Sequence, residues 1–173
     1  MPDREGREDQ DFIDGIPLGV KIAILYATRT GNTEIIAKAL AEDAECKAIN
    51  VAKLMSKECQ DFWFSHQVDL YVVGTGVYGG RCHGGIDRLV NACPFPDRTQ
   101  FALFATWIGR GNSGREALDN LKSLFESKGG DVRHPYFLCF GKALFLRQGH
   151  PDKKDIEDAQ AWLRALEGTS SVR

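Results

Sequence analysis

Apolar residues along the chain gather in short, dense runs separated by amphipathic stretches. Val20–Tyr26, Leu70–Val73, Phe101–Ala105 and Val132–Phe140 are rich in β-branched and aromatic side chains and are bounded by turn formers. Near-continuous apolarity, rather than strict alternation, predicts strands covered on both faces, as in a parallel sheet. A weaker run, Lys47–Val51, is a candidate fifth strand near an edge. Between these runs the apolar positions change to helical spacing. Ile35, Ile36, Ala39 and Leu40 share one face, Leu118, Leu121, Leu124 and Phe125 a second, and Ile156, Ala159, Leu163 and Leu166 a third. Lys128-Gly129-Gly130 reads as the stop of the second helix. Pro151 and Asp152 mark the start of the third, with Asp152 as N-cap and Asp155 placed for the helix dipole.

Strands alternating with helices imply right-handed βαβ units, hence a three-layer α-β-α sandwich around a parallel sheet. About five strands favour the doubly wound order 2-1-3-4-5 over a six-stranded dinucleotide fold. The 173 residues suit one domain. It is expected over 18–167, with a mobile N-terminal extension at 1–17 and a frayed tail at 168–173.

Composition narrows the function classes. A formal net charge of −2 gives no support for a nucleic-acid partner. Five cysteines, Cys46, Cys59, Cys82, Cys93 and Cys139, are odd in number and contain no CxxC pair. They read as reduced thiols of a cytoplasmic protein. No stretch approaches the ~18 apolar residues of a membrane span, and MPDREGREDQDFIDG lacks the apolar core of a signal peptide.

Three of the strongest strands run into unusual loops: ATRTGNT, GTGVYGGRCHGG and TWIGRGNSG. In a doubly wound sheet these lie together at the carboxyl edge, where ligands bind. The first joins a strand to a helix, whose N-terminal N–H groups and dipole suit an anion. The hydroxyls of Thr28, Thr30 and Thr33 and the amide of Asn32 can each donate to a phosphate oxygen, around the turn at Gly31. Arg29 could neutralise part of the charge. A nucleoside-triphosphate loop would carry the lysine of G-x-x-x-x-G-K-[ST]. This shorter turn suits one compact terminal phosphate instead.

The other two loops contain what a flat ring system needs. Tyr78 and Trp107 are expected to offer aromatic faces; for Trp107, inward packing on its own sheet edge is the alternative. Gly76, Gly79, Gly80, Gly109 and Gly111 would let main-chain groups approach the ring's polar rim. The formal GxGxxG strings here are weak dinucleotide signals, because that fingerprint belongs after the first strand. Cys82 and His83 form a tempting redox pair, but adjacent loop side chains usually diverge. His150 is expected to orient the chain before the last helix, and no metal set has sensible ligand spacing. Phe62, Trp63 and Phe64 read as core.

With these residues in view, the chain resembles the flavodoxin family. TRTGNT resembles its phosphate loop, [ST]-x-T-G-x-T; GTGVYGG is similar to its second loop; TWIGRGN holds the place of its third; GHPDKKDIEDAQAWL resembles its closing segment. The resemblance implies noncovalent FMN, with Thr28, Arg29, Thr30, Gly31, Asn32 and Thr33 at the phosphate. Thr75, Gly76, Val77, Tyr78, Gly79 and Gly80 would line the flavin from one loop. Thr106, Trp107, Ile108, Gly109, Arg110 and Gly111 would line it from the other. A glycine peptide of the second loop, Gly79 or Gly80, would turn to hydrogen-bond the flavin N5, which favours one-electron chemistry.

The resemblance implies an electron carrier, taking electrons from a reductase or ferredoxin and passing them to a partner enzyme. The alternatives are an FMN-dependent oxidoreductase acting on a quinone or other small substrate, and a flavin-free binding module. Family shuttles are usually acidic around the flavin, whereas Arg29, Arg81, Arg110 and Arg115 cluster in or near these loops. The long insertion in the last strand of long-chain members is absent, so the likeness is to a short-chain member.

Overall fold

The computed structural model describes residues 20–54, 63, 68–109, 111–143 and 147–170. Its strands are β1 (Ile22–Ala27), β2 (Ala48–Asn50), β3 (Leu70–Tyr78), β4 (Arg81–Cys82), β5 (Gln100–Trp107) and β6 (Asp131–Phe140). Its long helices are α1 (Asn32–Asp43), α2 (Gly84–Ala92), α3 (Ser113–Ser127) and α4 (Lys153–Ser170). The sheet order is β2-β1-β3-β5-β6, all parallel, with β4 folding back antiparallel on β3. Counting only the parallel strands in chain order, this is the expected 2-1-3-4-5.

Strand alternation divides the core into two halves. Leu25, Val73, Leu103 and Phe101 point to the face covered by α2 and α3. Ile24, Val72, Ala102 and Phe104 point to the face covered by α1 and α4. Because both faces are buried, the strands read as continuous apolar runs. Full burial of each large side chain contributes about 1.5–3 kcal/mol. Trp63 belongs to this core: its ring meets Tyr71, Phe95 and Phe101 edge-on, and its Nε1–H donates to Cys93 O at 2.8 Å. Phe62 and Phe64 lie outside the described residues.

Four departures from the sequence reading have physical reasons. First, β3 does not stop at Val73 but continues to Tyr78, because β1 pairs with it as far as Thr75 and β5 as far as Gly76. Ladder hydrogen bonds on both sides outweigh the poor strand propensity of Gly74 and Gly76. Gly74 is required here for space: a Cβ would lie 2.5 Å from Phe104 Cε1. Second, α2 was not expected after a double glycine. His83 starts it, accepting the Gly85 N–H at Nδ1 (3.0 Å), and Ile86, Leu89 and Val90 bury its inner face.

Third, α1 turns its face toward Ile36, Ala37, Leu40 and Ala41, leaving Ile35 39% exposed. Small alanines, not Ile35, allow the helix to approach the sheet. Fourth, α4 extends to Ser170, past the expected tail boundary. Its start agrees with the sequence: Asp155 N–H donates to Asp152 Oδ1 and Asp152 N–H to Asp155 Oδ2, both at 2.9 Å. The stop of α3 agrees too, with Gly129 at φ +92° and Gly130 N–H donating to Phe125 O at 3.0 Å. Among the described residues, no helix is long and apolar enough to cross a membrane.

Candidate functional site

Parallel strands bring the carboxyl ends of β1, β3, β5 and β6 to one edge. At the end of β1, Gly31 takes φ +82° and serves as the N-cap of α1 without any side-chain cap. The N–H groups of the first turn therefore face an opening with no intrahelical acceptor, and the helix dipole makes that opening positive. Two threonines border it. Thr28 Oγ1 accepts the Gly31 N–H at 3.0 Å, and Thr30 Oγ1 accepts from Asn32 Nδ2 at 2.9 Å. Each hydroxyl thus uses acceptor capacity within the turn and keeps its own hydrogen to donate outward.

Thr33 and Asn32 do something different from what their residue types suggested. Thr33 is fully buried, and its hydroxyl shares a hydrogen bond of 2.8 Å with Thr106. This pair fastens α1 to β5 and does not face an anion. Asn32 is 2% exposed, with both amide hydrogens committed, one to Thr30 Oγ1 and one to Lys142 O at 2.9 Å. Its Oδ1 is buried and has no partner among the described residues. That acceptor is suited to a ligand hydroxyl or an ordered water. Arg29 is also drawn aside. Its N–H donates to Tyr78 Oη at 2.7 Å, and its guanidinium lies 4.8 Å from the centre of the Tyr78 ring.

The second loop is a hairpin. Gly79 and Gly80, at φ +58° and +76°, turn β3 into β4 with the two left-handed residues of a tight hairpin. Thr75 and Val77 are buried within β3. Thr75 Oγ1 accepts the His83 N–H at 2.8 Å and donates to Gly76 O. The half-buried Tyr78 ring folds back across Gly76, where a Cβ would lie 2.6 Å from Tyr78 Cζ. Gly79 meets nothing at its Cβ position and is open to an approaching molecule.

The third loop does not present Trp107 as a free aromatic wall. Trp107 is 8% exposed and stacks on Phe140, with centroids 5.7 Å apart and planes 23° apart. Gly109 and Gly114 make room for it: a Cβ on either would stand 3.0 and 2.8 Å from the indole. Thr106 is buried with Thr33, Ile108 is half-buried, and Gly109 and Gly111 are exposed. Arg110 lies outside the described residues.

A fourth loop joins the site without having been foreseen. After β6, Gly141 N–H donates to Trp107 O at 2.9 Å, and Lys142 O receives the Asn32 amide. Thr30, Lys142, Ala143 and Gln148 line a concavity of about 450 Å³. The available signal was topological: β6 is parallel to the others, so its loop must reach the same edge. On this loop Arg147 places its guanidinium 3.4 Å from the centre of the Phe140 ring. His150 Nδ1 lies 2.6 Å from Asp155 Oδ2, orienting the chain into α4. His150, Asp152 and Asp155 offer ligand atoms within 4.8 Å of one another, but both carboxylates serve the helix start.

Cys82 and His83 diverge. Cys82 donates to Ala117 O at 3.3 Å, and burial pushes its thiol up to about 12. The His83 ring makes an edge-to-face pair with Tyr78, with centroids 6.0 Å apart. Burial lowers its pKa, and the charges of Arg29 and Arg88 lower it further against the opposing Asp87. Arg81 is exposed on β4, whereas Arg115 stands beside the Tyr136 ring. The edge therefore combines an uncapped helix start, two outward-donating hydroxyls, an open glycine turn and one half-buried tyrosine. A phosphorylated ligand with a flat ring fits that donor set.

A family model for the flavodoxin domain matches residues 23–127. No curated protein matches the chain by sequence. Among solved structures, the flavodoxin, WrbA-like protein from Agrobacterium tumefaciens is similar at TM-score 0.66 and 20% identity, covering 88% of this chain and 98% of that one. Oxidised Flavodoxin 2 from Bacillus cereus is similar at TM-score 0.65 and 17% identity, over 86% and 99%. General stress protein 14 from Treponema denticola, in complex with FMN, is similar at TM-score 0.60 and 16% identity, over 84% and 99%.

Proposed function

The chain belongs to the flavodoxin domain family, and we propose that it binds FMN at the carboxyl edge of its sheet and carries electrons between redox partner proteins. The observation that supports this most directly is the turn Thr28–Thr33. Its helix start lacks a side-chain cap, and the hydroxyls of Thr28 and Thr30 are left as donors. These groups would hold the terminal phosphate, while Gly76, Tyr78, Gly79 and Gly80 would flank the flavin. Thr75, Val77, Thr106 and Trp107 support the site from beneath, so any contact they make with the flavin is through their backbone.

FMN supplies the one-electron redox chemistry, and the protein tunes potential and access. Tyr78 is held by the Arg29 N–H and stands beside His83, so it would meet the flavin at the end of β3 once the Arg29 guanidinium moves off its ring. The hairpin turn at Gly79–Gly80 tolerates either backbone sign and leaves the peptide free to meet the flavin's ring nitrogen. Arg29 and Arg81 are exposed around this edge. Their charge favours an acidic partner face and would steer its approach.

Titration with FMN, followed by stepwise photoreduction, tests the reading. Quenched flavin fluorescence and accumulation of a one-electron-reduced spectrum are expected. Direct two-electron reduction by NAD(P)H with quinone turnover would assign the chain to substrate-reducing enzymes instead. A protein that carries no flavin absorbance once excess FMN has been removed would refute both.

A further inference from the structure

We propose that the residues directly after β6, Gly141 to Ala143, are a fourth wall of the phosphate site, with Lys142 supplying the cation that the first loop lacks and Asn32 holding this segment to the first loop. The inference rests on FMN occupying the site described above, and it goes beyond that reading by assigning phosphate recognition to a residue outside the first loop.

The cation expected beside the phosphate was Arg29, but its guanidinium lies on the Tyr78 ring. Arg147, the other described cation of the fourth loop, is committed to the Phe140 ring. Lys142 is exposed and shares with Thr30 the lining of the same concavity. Among the described residues no carboxylate pairs with it. A flexible ammonium at that position can reach a phosphate held by Thr30 and the start of α1, and it carries three donors.

Asn32 explains why the fourth loop stays there. One of its amide hydrogens goes to Thr30 Oγ1 and the other to Lys142 O, joining residues 110 apart in sequence. Gly141 packs directly on that amide: a Cβ would lie 2.6 Å from Asn32 Nδ2. Gly141 N–H is bonded in turn to Trp107 O. The backbone of Lys142 is therefore set by the same side chain that directs the Thr30 hydroxyl outward. Asn32 is a positioning residue, buried and acting through Thr30 and Lys142.

The test compares FMN with riboflavin, which has the same ring and ribityl chain but no phosphate. Dissociation constants for both are measured by fluorescence quenching in wild type, Lys142→Met, Lys142→Arg and Asn32→Ala, at low and high salt. Lys142→Met is expected to weaken FMN about tenfold or more while leaving riboflavin within about twofold. The loss should shrink at high salt, where screening already weakens the ion pair. Lys142→Arg should recover most of the affinity. Asn32→Ala should lower FMN affinity further than Lys142→Met, because it disturbs both Thr30 and the loop.

Unchanged FMN affinity in Lys142→Met, or an equal fall for FMN and riboflavin, overturns the assignment of Lys142 and leaves the flavin site standing. Wild type that binds neither flavin overturns the site itself. Lys142 is exposed, so its variants should unfold at the wild-type urea midpoint. A shifted midpoint in Lys142→Met would show a structural role instead and also count against the proposal.

Discussion

Thr30→Val separates the two jobs assigned to one hydroxyl. In the structure Thr30 Oγ1 accepts from Asn32 Nδ2 at 2.9 Å, which leaves its own hydrogen to donate to a phosphate oxygen. Valine has nearly the same shape and removes both capacities. Losing a hydrogen bond to a charged group costs about 1.5–3 kcal/mol. FMN affinity should therefore fall roughly 10- to 150-fold. In the absence of ligand the substitution also removes one acceptor from a buried amide. Leaving such a donor unsatisfied costs about 1–3 kcal/mol, because Asn32 is 2% exposed and water reaches it poorly. Fluorescence titration with FMN and riboflavin gives the first quantity, and urea unfolding of the flavin-free protein gives the second. Thr30→Ser should restore both. FMN affinity within twofold of wild type would refute the placement of phosphate beside Thr30. An equal loss for riboflavin would move the contact elsewhere on the flavin.

Three further outcomes are expected. Gly74→Ala would press a methyl group into the fully buried Phe104 ring and should destabilise the fold by about 1–3 kcal/mol; combining it with Phe104→Leu should cost less than the two single changes added together, as read from urea midpoints. His83 has a lowered pKa in the folded chain, so the unfolded chain binds the extra proton first. Stability should be full above about pH 6.5 and fall as pH drops through that value, and His83→Asn, which keeps an acceptor for the Gly85 N–H, should flatten this dependence in pH-resolved melts. Cys82, buried and with its thiol pushed up to about 12, should react with a disulfide reagent at pH 8 far more slowly than an unhindered thiol, as followed by mass mapping of labelled peptides. Rapid labelling of Cys82 in the native state would contradict its burial against Ala117.

What could be read from the chain follows from which signals are local. The apolar runs at β1, β3, β5 and β6 were visible because burial on both faces leaves no polar alternation. The turn Thr28–Thr33 was visible because several small polar residues crowd one strand-to-helix junction. The far half of β3 was not visible, since Gly74 and Gly76 look like loop residues until β1 and β5 are known to flank them. The choice between an outward and an inward Trp107 depended on Gly109 and Gly114 making space, which is a matter of packing. The inward turn of Thr33 toward Thr106 was equally hidden, because a hydroxyl's partner 73 positions away leaves no mark on its own neighbours. Lys142 could be placed only after the sheet order brought its loop across to Thr30.

The buried pair Thr33–Thr106 has a consequence for engineering. If the turn holds phosphate as proposed, it invites treatment as a cassette, a string of residues to be grafted between any strand and helix. Here the last residue of the string is bolted to a different strand, and the one before it to the loop after β6. Transplanting TRTGNT alone would carry over its hydroxyls and glycine but not the two anchors that aim them. A graft would need Thr106 and the carbonyl of residue 142 in register as well, so the portable unit is the sheet edge, not the turn.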